Sequence, residues 1–373
     1  MAPEVLEVML PFFKDVYGNP SSIHRFGGSV KKYVDTAREQ VAALLHAKPS
    51  EIFFTSCGSE SDNTAIQGFC RKHGSRSQLV TSVVEHPAVQ NCCRAVADNK
   101  GIPLHEVTVD EEGLLALDAL KNIAMDEHTL VTVMWANNET GVLFPVPEIA
   151  EVVKERGATL HTDAVQAVGK IAIDLEKTPV DMLALSGHKL HAPKGVGVIY
   201  IREGTDIEPL IYGGHQEHGL RAGTENVAYI AGLGKACELA VSRMAEENTR
   251  INALRDRLER ELLTKCKGAK LNGHPRLRLP NTTNISFEFI EGESILLLLD
   301  EKGICASSGS ACTTGSLEPS HVMKAMGIPY SLAHSSIRLS LSYYTTEKEI
   351  ETVIEVLPGI VDYLRRISPF VKE

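Results

Sequence analysis

Short apolar runs alternate with helical stripes over the first two thirds of this chain, and that alternation narrows the fold more than any other feature. Val30 to Ala47 carries Val34, Ala37, Val41, Leu44 and Leu45 on one helical face. Glu51 to Thr55, Leu79 to Val84, Thr129 to Trp135, Thr159 to Thr162, Met182 to Ser186 and Val196 to Ile201 read as strands. Between them, Glu60 to His73, Pro87 to Asn99 and Pro147 to Arg156 read as helices. Pro87 suits a first helical turn, and Gly157 ends the last of these helices. Strands separated by helices predict an α/β fold with a mostly parallel central sheet covered by helices.

The pattern changes near the middle. Asn226 to about Lys267 is long-helical, and a Gly-, Pro-, Asn- and Arg-rich break follows at Gly268 to Pro280. Strands at Thr283 to Phe289 and Ile337 to Ser342, with a helix at Glu347 to Arg366, read as one smaller α/β unit. Residues 1–245 are therefore expected to form a large domain and 246–373 a small C-terminal one. The net charge of -10, without a dense Lys/Arg run, argues against nucleic acid and anionic membranes as partners. Apolar runs such as Ile295 to Leu299 are too short to span a bilayer. The start, Met1 to Val5, lacks a basic region and a cleavage site, and the 8 cysteines include no C-x-x-C pair. A cytoplasmic protein with reduced thiols is expected. His215-Gln216-Glu217-His218 lacks a third ligand at a recognisable spacing, so no resident metal is expected.

Chemistry concentrates where strands end. Lys189 sits in Ser186-Gly187-His188-Lys189, between the Asp181 to Leu185 strand and a Pro/Gly turn. A lysine that forms a Schiff base needs rigid backbone, partial desolvation and cationic neighbours. A solvated surface lysine has the same local sequence; Asp163, in His161-Thr162-Asp163-Ala164-Val165-Gln166, distinguishes the two. A Schiff-base lysine with an acidic partner for a pyridinium nitrogen is the signature of pyridoxal phosphate (PLP) chemistry. Thr55 to Ser61 follows a strand and opens a helix; taken alone it reads first as an ordinary serine cap with Glu60 in the first turn, and only second as a phosphate site. His86, in Val84-Glu85-His86-Pro87, is either a helix cap or a ring stacked on a planar cofactor. Trp135 to Gly141 holds more amides than a plain strand-to-turn transition needs. Arg338, inside a strand, suits bidentate carboxylate binding or a cross-strand ion pair. Cys70, Cys237 and Cys305 lie in apolar patterns and are expected to be buried. Cys312 lies among small polar residues, Ala306 to Ser316, and is expected to be an exposed nucleophile.

Together these segments resemble the NifS/IscS-type cysteine desulfurases, and among them the NifS proteins of nitrogen-fixing bacteria. The resemblance runs from Tyr17-Gly18-Asn19-Pro20 to the C-terminal helix and is most specific at Val84 to Ala88, Met134 to Gly141, His161 to Gly169, Ser186 to Gly197, Arg221 to Asn226 and Ser307 to Gly315. It implies the aminotransferase-like fold type I of PLP enzymes and a homodimer. It further implies that Lys189 binds PLP covalently, Asp163 pairs with the pyridine nitrogen, and His86 stacks on the ring. Gln166 and Asn138 would support the ring's phenolic edge. Gly58, Ser59, Ser186 and His188 would hold the phosphate, with Thr224 contributed by the second subunit. Arg338, with Asn138 alongside, would bind the substrate carboxylate.

The activity so implied is removal of sulfur from L-cysteine, leaving L-alanine and a persulfide on Cys312. The acceptor would be an iron–sulfur scaffold protein of the NifU/IscU kind, with nitrogenase maturation as one use. Cys312 would at most ligate an iron–sulfur cluster transiently during transfer. A selenocysteine lyase and a non-enzymatic sulfur carrier of the same fold are the alternatives. The cysteine loop favours the desulfurase, because a selenium-specific lyase needs no protein persulfide. Family members carry an extended segment ahead of a helix like Pro3 to Phe13, where this sequence starts. Without that segment, the chain is expected to fold and bind PLP but to bind cysteine more weakly or turn over more slowly.

Overall fold

The computed structural model describes residues 1–308 and 319–369, excepting the side chain of Glu247. Two compact units divide the chain. One holds Met1–Val107, Leu117–Trp135 and Pro145–Met244; the other holds Thr108–Ala116, Ala136–Phe144 and Ala245–Glu373. The division falls inside a single helix, Val227–Lys265.

The first unit is built on β1 (Ile52–Thr55), β2 (Gln78–Ser82), β3 (Leu104–Val107), β4 (Thr129–Met134), β5 (Thr159–Asp163), β6 (Met182–Ser186) and β7 (Gly197–Ile201). Their order in the sheet is β1-β7-β6-β5-β4-β2-β3. Strands β2 to β6 pair in parallel. β4, β6 and β7 are buried along their whole length, as strands covered on both faces must be. The mostly parallel sheet expected from the alternation is present. β7 is the exception, antiparallel to both β1 and β6. A parallel return needs a long crossover, usually a helix. Only the stretch from Gly187 to Val196, opened by a 3-10 turn at Gly187–Leu190, joins β6 to β7.

The Gly58–His73 helix buries Ile66, Phe69 and Cys70 against the sheet residues Leu79, Leu130 and Ile199. Val89 and Cys93 of the Pro87–Lys100 helix complete that cluster. Each fully buried large side chain of this kind contributes about 1.5–3 kcal/mol. Polar burial also holds this layer. The Arg38 guanidinium makes two 2.8 Å bonds to the Glu217 carboxylate, which also accepts from Phe54 N at 2.9 Å. Glu217 adopts a left-handed backbone (φ 46°) to reach them, so the His215–His218 stretch serves the fold. Glu217→Ala is expected to destabilise the protein by about 3 kcal/mol, because the largely buried Arg38 would lose its counter-charge and keep, among the described residues, only the Ile52 carbonyl as a partner. Urea unfolding of both proteins checks this.

The second unit carries an antiparallel sheet of β8 (Ala269–Leu271), β9 (Thr282–Phe287), β10 (Ser307–Ser308) and β11 (Ser336–Ser340), ordered β10-β11-β9-β8. The Glu347–Ile367 helix opens with a Thr346/Glu349 capping box and buries Ile350, Ile354, Leu357, Val361 and Leu364. That stripe joins Ile285, Phe287, Ile295, Leu299 and Ile337 in one core. Cys305 departs from expectation. Cys70 and Cys237 are buried, but Cys305 is exposed. It leads into β10, and there Ile304 and Ala306 turn toward the core while Cys305, between them, turns out.

Candidate active site

Parallel strands bring their carboxyl ends to one edge of a sheet, and that edge is where such folds bind ligands. Here β2 leads to Glu85 and His86, β5 ends at Asp163, and β6 ends at Ser186 with Lys189 in the turn beyond. The register sets Asp163 level with Met134 on one side and Ala184 on the other. Trp135 N donates to Asp163 O at 2.9 Å, and Ala164 N to Ala184 O at 3.0 Å. The Asp163 side chain is thereby held on rigid backbone, and its Oδ1 accepts from Val165 N at 2.9 Å. Burial pushes the Asp163 carboxyl up to about 6, against the pull of the Val165 amide and the Lys189 charge. A cation placed against it would favour the carboxylate.

Lys189 is half-buried in the Gly187–Leu190 turn. Its neighbour His188 bonds through Nδ1 to Ser186 Oγ at 2.9 Å. Burial lowers the His188 pKa, and the charges of Lys189, Lys194 and Lys170 add to the shift. The edge is therefore cationic. Gly197, at the start of β7, permits the close approach behind the turn. A Cβ there would lie 2.7 Å from the Cys57 carbonyl carbon and 2.9 Å from Leu185 O.

The N-terminus of the Gly58–His73 helix lies against Ser186. Its cap residue is Cys57, with no side-chain bond to the first turn, so a serine cap is not what satisfies these amides. Glu60 instead binds outward, accepting from Ser56 N and Arg221 Nε at 2.9 and 2.8 Å. Burial opposes its charge, but Arg221 and Ser56 outweigh that and hold its carboxyl below the ordinary range. A Cβ on Gly58 would meet Val165 Cγ2 at 2.6 Å, so glycine is required there. Ser59 is exposed beside it. Gln166 is half-buried, and its carbonyl accepts from Lys170 Nζ at 3.0 Å. Thr224 is exposed and lines a cavity of about 260 Å³ with Ser56, Arg221 and Asn226. His86 caps the Pro87–Lys100 helix, its Nδ1 accepting from Ala88 N at 3.1 Å. The capping role is thus real, and it leaves the ring half-buried.

Asn138 and Arg338 belong to the second unit. Asn137 makes the turn: its Oδ1 accepts from Glu139 N and Thr140 N, both at 2.9 Å. Asn138 Oδ1 is buried without a partner among the described residues. Arg338 Nη1 donates to Asn138 O at 2.7 Å, and Arg338 Nε has no partner among the described residues. Asn284 and Ser307 stand opposite Arg338 in the sheet, so no acid pairs with it across the strands. The unspent Arg338 Nε is a donor suited to a carboxylate ligand, whereas the unspent Asn138 Oδ1 is an acceptor and calls for a donor. Cys312 lies outside the described residues.

Several buried polar groups carry no ligand-site signal in the local pattern. Glu139 accepts from Ser320 Oγ at 2.5 Å, and burial raises its carboxyl to about 7. Behind Asp163 lie Asp62, Glu85 and His161, all fully buried. His161 was within reach of sequence reasoning, because it shares a strand face with Asp163 two residues on. Asp62 was not, since a helical aspartate reads as solvated.

Residues 1–353 match a family model described as aminotransferase class-V. The chain belongs to that family. Within it the chain is of the NifS/IscS cysteine desulfurase type. It is 55% identical over 368 residues to the cysteine desulfurase NifS of Azotobacter vinelandii, covering 98% of this chain and 91% of that one. A solved NifS-like protein superimposes with a TM-score of 0.91 at 38% identity, covering 98% of this chain and 97% of the other. A structure of SspA in complex with cysteine matches with a TM-score of 0.80 at 34% identity, over 93% and 97% of the two chains. Among the described residues, no helix is long and apolar enough to cross a membrane.

Proposed function

We propose that this protein takes sulfur from L-cysteine, releases L-alanine and carries the sulfur as a persulfide on Cys312. It is a PLP-dependent cysteine desulfurase. The observation that carries the site assignment is the strand-end set of Lys189, a buried Asp163 and the capping His86.

The residues present fit the cofactor. The uncapped amides at Gly58 and Ser59, the Ser186–His188 pair and the surrounding lysines suit a phosphate dianion. Thr224 of a second copy adds to that cradle in the homodimer. Asp163 suits a protonated pyridine nitrogen, and Gln166 and Asn138 suit the phenolic edge. When bound, PLP supplies an electron sink for charge developing at the substrate α-carbon. The protein's part is positioning and proton transfer. Lys189 Nζ anchors the cofactor and then removes the substrate α-proton. His86, with Nδ1 occupied by the Ala88 amide, presents its other ring nitrogen as a donor. Arg338 binds the substrate carboxylate through its fork. The Cys312 thiolate bonds to the substrate sulfur as the carbon–sulfur bond breaks. The balance is one cysteine and one thiol giving one alanine and one persulfide.

The protein works in the cytoplasm and hands its sulfur to an iron–sulfur scaffold of the NifU/IscU kind, with nitrogenase maturation as one destination. Incubation with L-cysteine tests the function. Alanine should appear with a matching amount of persulfide on the protein. Neither product forming would contradict the reading. Asp163→Asn should retain PLP yet lose turnover by about 10²-fold or more, because a neutral amide cannot hold the ring nitrogen protonated. Steady-state alanine production with PLP content measured alongside decides it; turnover near that of the parent protein would refute the role.

A further inference from the structure

Three carboxyl groups share the dry region behind the strand ends. Asp62 is 1% exposed, Glu85 0% and Asp163 7%. Glu85 Oε1 accepts from Ser82 Oγ at 2.5 Å and Met134 N at 3.1 Å, and Asp163 Oδ1 accepts from Val165 N. Asp62 Oδ1 has no hydrogen-bond partner among the described residues, and neither does His161 Nε2. These two orphaned atoms face each other at 3.7 Å. The other imidazole nitrogen, His161 Nδ1, lies 2.8 Å from Thr132 Oγ1. A buried polar atom without a partner needs an explanation, and these two lie a small side-chain movement away from a hydrogen bond with each other.

The charges around Asp62 decide its state. From β5 it faces His161 and Asp163; from the loop after β2 it faces Glu85. From its own helix cap it faces Cys57, and Cys92 and Cys93 face it from the Pro87–Lys100 helix. Apart from His161, none of these can be a cation. Three ionised carboxylates in one desolvated region would repel strongly.

We propose that Asp62 is a positioning residue that carries a proton directed at neutral His161, so that the negative charge of this acid cluster resides on Asp163. The role rests on the reading of Asp163 as the partner of a pyridine nitrogen. A carboxylate at Asp62 would share that nitrogen's charge with a site that cannot touch it. Neutral Asp62 instead holds the His161–Thr132 line and keeps the floor beneath Asp163 uncharged. Burial raises the Asp62 pKa well above its ordinary value and lowers that of His161 to about 3, both in the direction of the neutral pair.

The sign of the pH dependence follows. An acid whose folded pKa is raised binds more protons folded than unfolded at neutral pH, so stability falls as pH rises above its unfolded pKa. Asp62→Asn keeps the shape, cannot ionise in either state and removes that loss. In the PLP-free protein the variant should melt as the parent does near pH 4 and several degrees higher at pH 8. A variant that melts lower than the parent at pH 8 and equally at pH 4 would indicate an Asp62–His161 ion pair and overturn the proposal. Should the variant not fold, ¹⁵N NMR of histidine-labelled parent apoprotein reads the same point. A neutral His161 at pH 6 supports the proposal, and an imidazolium overturns it. The PLP-loaded variant gives the link to Asp163. Its visible band should titrate where the parent's does, because asparagine is as neutral as protonated Asp62; a shifted band would show that Asp62 carries a charge beside Asp163 and would overturn the proposal. The apoprotein measurements do not depend on the enzyme's activity, so failure of the desulfurase reading and failure of this one are separable.

Discussion

Lys189→Ala is expected to cut desulfurase turnover by on the order of 10⁴-fold, the upper range for loss of a positioned proton-transfer group. The effect is large because the proposed mechanism gives one amine two duties, anchoring the cofactor and taking the substrate α-proton. The fold should survive. Lys189 is half-buried in a turn whose shape comes from Gly187 and from His191, in the left-handed region at φ 61°. The variant's unfolding midpoint should stay close to that of the parent while alanine production disappears. Turnover within tenfold of the parent would place the amine elsewhere, with Lys170 and Lys194 next to test.

Cys312→Ala is the second large effect, and it separates two halves of the reaction. Five described thiols are unsuited to nucleophilic attack. Burial pushes Cys70 and Cys266 up to about 11 and Cys92 and Cys237 to about 12, and it raises Cys93 as well. Their thiolates are scarce at neutral pH. Cys57 is half-buried and Cys305 exposed, so these two are the competitors. Cys312 is chosen for its polar, small-residue surroundings and for the family resemblance of Ser307 to Gly315. The variant should bind PLP normally and still change its visible spectrum on addition of L-cysteine. It should form almost no persulfide and almost no alanine. Full activity would move the nucleophile to Cys305 or Cys57, and the double comparison Cys305→Ala and Cys57→Ala would then identify it.

Much of the first unit was legible in the sequence because each element has one strong period. Lys31–Leu45, Pro87–Lys100 and Met182–Ser186 fall within a residue or two of the expected ranges. Legibility failed where a long-range partner decides the outcome. β7 runs antiparallel because its connection is too short for a crossover, and a buried strand reads the same in either direction. β3, with exposed His105 and Glu106 between Leu104 and Val107, lacks the apolar run that marks its neighbours. Leu104 to Val107 becomes a strand through pairing with β2. Cys305 sits in an apolar stretch, but alternation rather than composition sets its side.

The site divides in the same way. Lys189, Asp163 and His86 could be singled out because each breaks an apolar pattern at a strand end. Asp62 and Glu139 could not, because their burial is created by elements distant in sequence. Glu139 meets Ser320, and Asp62 meets His161, only in the folded chain.

The most direct test of the account is chemical trapping of the cofactor on the protein. Borohydride reduction of the PLP-loaded enzyme, followed by peptide mapping, should fix a single pyridoxyl group on Lys189. Labelling at Lys170 or Lys194 with Lys189 unmodified, or no covalent label at all, would contradict it.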